Sequence, residues 1–295
     1  MASKNNVLSA EPTMATPQKK LAILGDISLA RKLLEEYSGI PPTQVDSHVL
    51  TILNKASQHH DPYPCITRSR FLHFEGTQHP LFDVILSRLT ASGTSSGQTL
   101  LDIGCCLGQD SRLYAFRGAP HRSLYGSDLH PEFLELGYEL FNDKDKFDGH
   151  FVAGDIFSPS GTSALDVFEG KMDMISATAF LHLFSREDQL KACKRMIQFL
   201  KPFNVQDEFR QVIFGRQTAS INPGVRVRES FEWGRKELFI HDLETFEKLW
   251  MDVGLMTGTK WEFKGQLKTL PWPGVKGVEG AQSARLMEFE VWRIA

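Results

Sequence analysis

Five short apolar runs set the terms on which this chain can fold. They are QTLLDIG (98–104), SLYGSDL (123–129), HFVAGDIF (150–157), MDMISATA (172–179) and RQVIFGRQ (210–217). Each is too short for a stable helix and reads as a buried strand. Helical patterns lie between most of them. PEFLELGYELFND places Phe133, Leu136, Leu140 and Phe141 on one side. SREDQLKACKRMIQFLKP does the same with Leu190, Cys193, Met196, Ile197 and Leu200, opening on Ser185 and Asp188 at capping-box spacing and stopping at Pro202. DLETFEKLWMDVG repeats the pattern with Leu243, Phe246, Leu249, Trp250 and Val253, and Gly254 is its expected stop. Strands alternating with helices predict an α/β fold, a doubly wound and mostly parallel sheet with helices on both faces. The final RLMEFEVWRIA alternates at period two, with Met287, Phe289 and Val291 on one face and Glu288 and Glu290 on the other. It reads as a last strand, antiparallel at the sheet edge or inserted within it.

The region before the sheet is helical. DISLARKLLEEYSG, SHVLTILNKAS and HPLFDVILSRLTASG carry helix periodicity, and the two prolines of DPYPCITRSRFLHF point to an extended segment between them. Three parts follow: a disordered tail over 1–20, a helical cap over 21–95 that covers the ligand edge of the sheet, and a main domain over 96–295. The tail is polar and lacks the apolar stretch of a secretory signal. No apolar run reaches the roughly 18 residues that a membrane helix needs. The net charge of −3 argues against nucleic acid as a partner. The four cysteines, Cys65, Cys105, Cys106 and Cys193, have no C-x-x-C spacing, which speaks against a metal site or a disulfide framework and for a reduced, cytoplasmic chain. No metal is expected.

In doubly wound sheets ligands bind beyond the carboxyl ends of the strands. Three strand ends here carry acids. The first is Asp102-Ile103-Gly104-Cys105-Cys106-Leu107-Gly108. Gly104 and Gly108 keep the outer positions of a G-x-G-x-G turn, and Cys106 takes the middle one. A pyrophosphate needs glycine there to approach the helix start, so Cys106 disfavours a dinucleotide such as NAD. The second is Asp128, 20 residues after Gly108, the spacing at which an acid meets ribose hydroxyls. The third is Asp155 in AGDIF, where a carboxylate can accept from an adenine amino group while Ile156 packs on the ring. A helix N-cap is the competing reading of such an acid, and for Asp155 taken alone both stand.

LLDIGCCLG, LYGSDL and VAGDIF together resemble the class I S-adenosylmethionine-dependent methyltransferases. The resemblance implies a Rossmann-like, seven-stranded sheet. It implies that Asp102, Gly104 and Cys105 lie near the methionine and sulfonium end, that Asp128 with Leu129 holds the ribose, and that Asp155 and Ile156 hold adenine. A narrower likeness runs through YPCITRSRFL, LDIGCCLGQD, LYGSDLHPEFLELGYELF, FLHLFSREDQ, FGRQ and HDLETFEKLWMDVGLMTGTKW. These are similar to fungal secondary-metabolism methyltransferases, especially those of meroterpenoid pathways, in which GCC-GQD is typical. That likeness implies methyl transfer to a bulky small-molecule natural product, a polyketide–terpenoid intermediate, with methyl-ester formation a known activity of the group.

On the acceptor side, a carboxylate is already ionised at pH 7 and needs no base, whereas a hydroxyl acceptor profits from one. His182, after the fourth strand, is the candidate to orient a carboxylate or to serve as that base. Arg216 after the fifth strand could fork onto a carboxylate or sit in a structural salt bridge. Arg70 could meet cofactor or substrate, and Tyr63 could act as a lid or pack as an ordinary aromatic. A homodimer is compatible with the sequence. The competing functions are a hydroxyl O-methyltransferase and a cofactor-binding protein without methyl transfer, either regulatory or pericyclase-like. Intact Asp102, Asp128 and Asp155 count against the regulator.

Overall fold

The computed structural model describes residues 26–58, 63–91, 97–207, 209–230, 234–270 and 283–295. The expected tail over 1–20 lies outside them, as does Trp233.

The cap is built from α1 (Ser28–Glu36), α2 (Val45–Ala56), the single turn α3 (Pro64–Thr67) and α4 (Phe82–Thr90), with 3-10 turns at Arg70–Leu72 and Glu75–Gln78. The segment read as extended is therefore coiled. Pro64 starts α3, a position where its fixed φ and missing N–H cost nothing. The main domain then runs β1 (Leu100–Ile103), α5 (Gln109–Phe116), β2 (Leu124–Asp128), α6 (Pro131–Phe141), β3 (His150–Ala153), β4 (Met174–Ser176), α7 (Arg186–Phe199) and β5 (Val212–Ser220). It continues with β6 (Gly224–Ser230), β7 (Gly234–Ile240), α8 (Leu243–Thr257), β8 (Trp261–Lys268) and β9 (Ala284–Arg293). Ser185 caps α7 by accepting from the Asp188 N–H at 3.2 Å. Asp242 and Thr245 form a capping box at α8. Gly254 does not stop α8; the helix runs on to Thr257, and Gly258 closes it at φ +68°.

Seven strands form one sheet in the order β3-β2-β1-β4-β5-β9-β8. The first five are parallel, and β9 is inserted antiparallel between β5 and β8. β6 and β7 pair separately as a two-stranded arm that the apolar runs did not announce, and β8 was likewise not expected.

The sheet has a core on each side. Leu100, Met174, Val212 and Phe214 face α5, α6 and the cap helices, so cap and sheet share one apolar cluster. Leu101, Ile103, Ile175, Ile213, Met287, Phe289 and Val291 face α7 and α8. Neighbouring residues of β5 alternate between the two, as the strand period requires. One buried ion pair ties the first side together. Arg112 on α5 donates from Nε to Asp143 at 2.9 Å and from Nη2 at 3.1 Å, beneath the rings of Tyr138, Phe141, Phe147 and Phe151. Tyr37 of α1 donates to the same carboxylate at 2.9 Å. The Arg112 Nη1 also donates to the Leu107 carbonyl at 2.9 Å, which holds the turn after β1 from below.

Candidate functional site

The turn after β1 lies at the point where strand order reverses between β1 and β4. Its backbone alternates into the left-handed region at Gly104 (φ +71°), Cys106 (+54°) and Gly108 (+65°). A non-glycine residue held there costs on the order of 1 kcal/mol or more, and such strain gathers at ligand sites. Cys106 is held in place: its N–H donates to the Asp128 carboxylate at 2.9 Å. The N–H groups of Gly104 and Cys105 both donate to the Ser127 carbonyl, at 2.8 and 2.9 Å. A Cβ on Gly104 would stand 2.8 Å from the Phe180 ring, so only glycine lets that ring lie against the turn.

Both thiols are buried and held towards their protonated form. A hydrogen bond with Cys65 of the cap, then burial, pushes Cys106 well up. Burial, then Asp102 and Asp128, does the same for Cys105. The Cys105 sulfur packs inward against Gly126, and its N–H is already bound, so this residue shapes the turn from beneath and its side chain does not face the ligand side.

The three strand-end acids differ in setting. Asp102 is buried and takes a hydrogen bond from Ser176; burial, then the nearby Asp110, raises its carboxyl well above the usual range. Asp128 is pushed up to about 6 by burial, against the opposing pull of N–H donors from His130 (3.1 Å) and Cys106. The Leu129 N–H adds a third donor, which leaves lone-pair room on this carboxylate for an outside donor. Asp155 is exposed and accepts from the Phe157 N–H at 2.9 Å, the local turn that competed with an adenine role. Ile156 is buried beneath it. Leu129 (42% exposed) and Phe157 (37%) present apolar surface beside Asp128 and Asp155, as a platform for a flat ring would.

The loop after β4 supplies the remaining wall. Ala179 is also left-handed (φ +55°) and donates its N–H to the Arg216 carbonyl at 2.6 Å. Phe180 meets Phe184 at 5.1 Å between centroids, and Phe184 meets Phe157 at 5.0 Å, so an aromatic row runs from Gly104 towards Asp155. His182 sits within this row, half-buried, with its Nδ1 enclosed and making no hydrogen bond among the described residues. Burial, then Arg70 and Arg228, pulls its pKa down to about 4.

Tyr63 packs at a tilt against His130, with 5.7 Å between ring centroids, beside the end of β2. Arg216 is buried on the cap-facing side, 3.3 Å from Glu288 and bonded to Gln78 at 3.1 Å, which is the structural ion pair left open by the sequence. The site thus brings together Asp102, Gly104, Asp128, Leu129, Ile156 and His182, with Arg70 close by, while Arg216 is engaged elsewhere. Two amides stand out, of which Gln109 escaped the sequence reading and Gln217 follows Arg216 after the fifth apolar run, near the ligand edge. The Gln109 Oε1, next to Gly108, is buried without a partner, and both amide atoms of Gln217 are likewise unpaired among the described residues. The sequence marks them only by position, directly after a glycine turn and directly after β5's expected arginine.

The donor set fits a nucleoside carrying an amino acid. It offers a carboxylate for vicinal hydroxyls, an apolar platform for the base, an enclosed acceptor at Gln109 for an ammonium, and a glycine turn that admits close approach.

Residues 23–72 match the meroterpenoid methyltransferase N-terminal domain, and residues 100–203 match a methyltransferase domain. The chain is 37% identical over 232 residues to the O-methyltransferase phiE of a fungal species, covering 79% of this chain and 73% of that protein. It is 36% identical over 267 residues to the O-methyltransferase atr3 of Stereocaulon alpinum, covering 90% and 72%. Among solved structures, the [4+2]-cyclase SpnF superposes with a TM-score of 0.50 at 14% identity, over 89% of this chain and 96% of that one. At that identity the likeness concerns the fold.

Proposed function

This chain belongs to the meroterpenoid methyltransferase family of fungal secondary metabolism, and from that premise we propose that it forms the methyl ester of a bulky polyketide–terpenoid carboxylic acid. It is an S-adenosylmethionine-dependent methyltransferase; the carboxylate acceptor is the part proposed. The observation that carries it is the state of His182. A group whose conjugate acid has a pKa of about 4 is a poor match for removing a hydroxyl proton near pH 7. It is suited to hydrogen-bond a carboxylate, which arrives ionised.

In this reading Asp128 accepts from the ribose hydroxyls, Leu129 and Phe157 flank the adenine with Ile156 below it, and Asp155 takes the exocyclic amine on its free oxygen. Gln109 and Asp102 serve the amino-acid end. When bound, the cofactor supplies a methyl group on a sulfonium centre. Phe180 and Phe184 keep water from the place where the opposite charges of acceptor and sulfonium cancel, and a dry wall favours that step. Alignment of the two reactants by these walls can contribute several kcal/mol, up to roughly 7–11 in well-oriented systems.

The test is incubation with radiolabelled methyl donor and a panel of polyketide–terpenoid carboxylic acids. Mild alkaline hydrolysis of the product follows. Label released as methanol is expected; label that survives alkali would overturn the ester.

A further inference from the structure

The arm formed by β6 and β7 carries charge for which the reading so far has no use. Its register sets Arg228 opposite Lys236, Arg226 opposite Leu238 and Gly224 opposite Ile240. Directly opposed residues share a face. Ile240 is buried, whereas Val225 and Val227, on the other face, are 55% and 46% exposed. The face with Arg228 and Lys236 therefore turns inward, while Val225 and Val227 share the outer face with the exposed Arg235 and Glu237.

The arm lies against the loop that holds His182. The Phe239 N–H donates to the Phe184 carbonyl at 2.9 Å. Gln189 donates to both the Phe184 and the Phe239 carbonyls, at 3.0 and 2.9 Å, and pins the two strands of chain together. The Lys236 Nζ stands 4.9 Å over the Phe184 ring, two residues from His182. Arg228 lies within electrostatic range of His182, adding to the larger effects of burial and Arg70. Both cations are half-buried. Asp188 and Asp155 act on Lys236 at longer range, and no carboxylate lies within ion-pair distance of either cation among the described residues. A cation that has shed part of its water without a counter-ion in contact is costly. On the same edge, Gln217 is 2% exposed with both amide atoms unpaired, and it lies on the face of β5 whose Ile213 and Ala219 pack with Phe180 and Leu181. Two cations without a contact ion pair, the amide nitrogen of Gln217 and the Nδ1 of His182 thus face the loop after β4 and the strand beside it. A carboxylate, with its four lone-pair positions, would accept from the two cations, from the Gln217 Nε2 and from His182 as the Nδ1–H tautomer.

We infer that Arg228 and Lys236 bind the acceptor's carboxylate, with Gln217 and His182 completing its hydrogen bonds, so that the arm selects acids over neutral acceptors. This deepens the ester reading above and rests on it for the identity of the ligand. The Arg228 guanidinium offers a planar fork and the Lys236 ammonium a point charge. One oxygen held by the arm leaves the other to be methylated.

The probes are abietic acid, a polycyclic terpenoid carboxylate, and abietinol, the same skeleton ending in an alcohol. Their dissociation constants are measured calorimetrically on enzyme loaded with S-adenosylhomocysteine. Wild type is expected to favour the acid by at least about tenfold, the scale of a hydrogen bond to a charged group. Arg228→Ala and Lys236→Ala should each remove about tenfold of that preference, with alcohol binding and S-adenosylhomocysteine affinity unchanged. Arg228→Lys, which keeps charge and bulk, should retain part of it and covers the case in which the alanine variant does not fold. Equal binding of acid and alcohol by wild type, or a preference that survives in the double variant, overturns the inference. If the preference survives while the labelled product is alkali-labile, the ester reading stands and the arm has no part in it. If the preference is lost while the label resists alkali, the arm binds acids and the ester reading falls.

Discussion

At the scale of the residue, Asp128 is the most consequential side chain. Burial lifts its pKa to about 6, so the carboxylate is mostly ionised at pH 7 and mostly protonated at pH 5. Hydroxyl donors favour the ionised form. Cofactor affinity should therefore fall as pH drops through about 6, by up to about tenfold per unit. Calorimetric titration with S-adenosylhomocysteine at pH 5, 6 and 7.5 checks this. Asp128→Asn should weaken binding about 10- to 100-fold at pH 7.5 and flatten the profile, because a charged acceptor has become a neutral one. A wild-type profile as flat as the variant's would remove Asp128 from the ribose site. His182 supplies the second residue-scale prediction. If it only orients a carboxylate, His182→Ala should lower kcat by about tenfold, and activity should show no titration near pH 6.5. A loss of about 10²–10⁴-fold would mark a base and a hydroxyl acceptor.

At the scale of the element, α6 matters as much as the strand it follows. A Cβ on Gly137 would stand 2.3 Å from the Leu107 carbonyl oxygen, in the turn after β1. Glycine inside a helix normally gains about 1 kcal/mol on change to alanine. Here the sign should reverse. Gly137→Ala should destabilise by about 1–3 kcal/mol and also weaken S-adenosylhomocysteine binding, although the residue touches no ligand group. Thermal melting and calorimetry measure both. The same scale explains what the sequence made legible. β1, β2, β4 and β5 are largely buried and stand out as apolar runs, and Gly104 after β1 and Asp128 at the end of β2 mark the ligand edge. β8 alternates Trp261 and Phe263 with Glu262 and Lys264, a period-two signal in a half-exposed edge strand that no bounding glycine sharpens. The arm mixes its two faces. Val225 and Val227 face water with Arg235 and Glu237, while Arg228 and Lys236 face inward with Leu238 and Ile240, so neither strand shows a clean alternation of apolar and polar residues. Gln109 was illegible for a different reason, since an amide without a partner exists only in three dimensions; Gln217 was legible by position alone.

At the scale of the whole molecule, cap and sheet share one apolar cluster and the Arg112–Asp143–Tyr37 network, so they should unfold in a single transition. That lets distant titrating groups act on one equilibrium. His79 in the cap, His182 at the site and His241 behind β5 are each pulled down to about 4, chiefly by burial. The unfolded chain binds protons at these positions below about pH 6.5 and the folded protein only near pH 4, so each histidine makes stability fall as pH falls through that window. Asp102 and Asp128 act oppositely. Their carboxyls are raised in the folded state, which holds its protons to higher pH than the unfolded chain does, so their contribution is lost as pH rises. The exposed ion-paired acids Asp166 and Glu169 are lowered instead and act at more acid pH. Between about pH 4.5 and 6 three histidines oppose the raised aspartates, and unfolding should take up protons net. The melting temperature of the cofactor-free protein should thus rise with pH over this range. His79→Gln combined with His241→Gln removes two of the three histidines, so the slope should fall. Melting curves for both proteins at pH 4.5, 5.25 and 6 decide it, and an unchanged slope in the double variant would mean that these histidines are already charged in the folded protein.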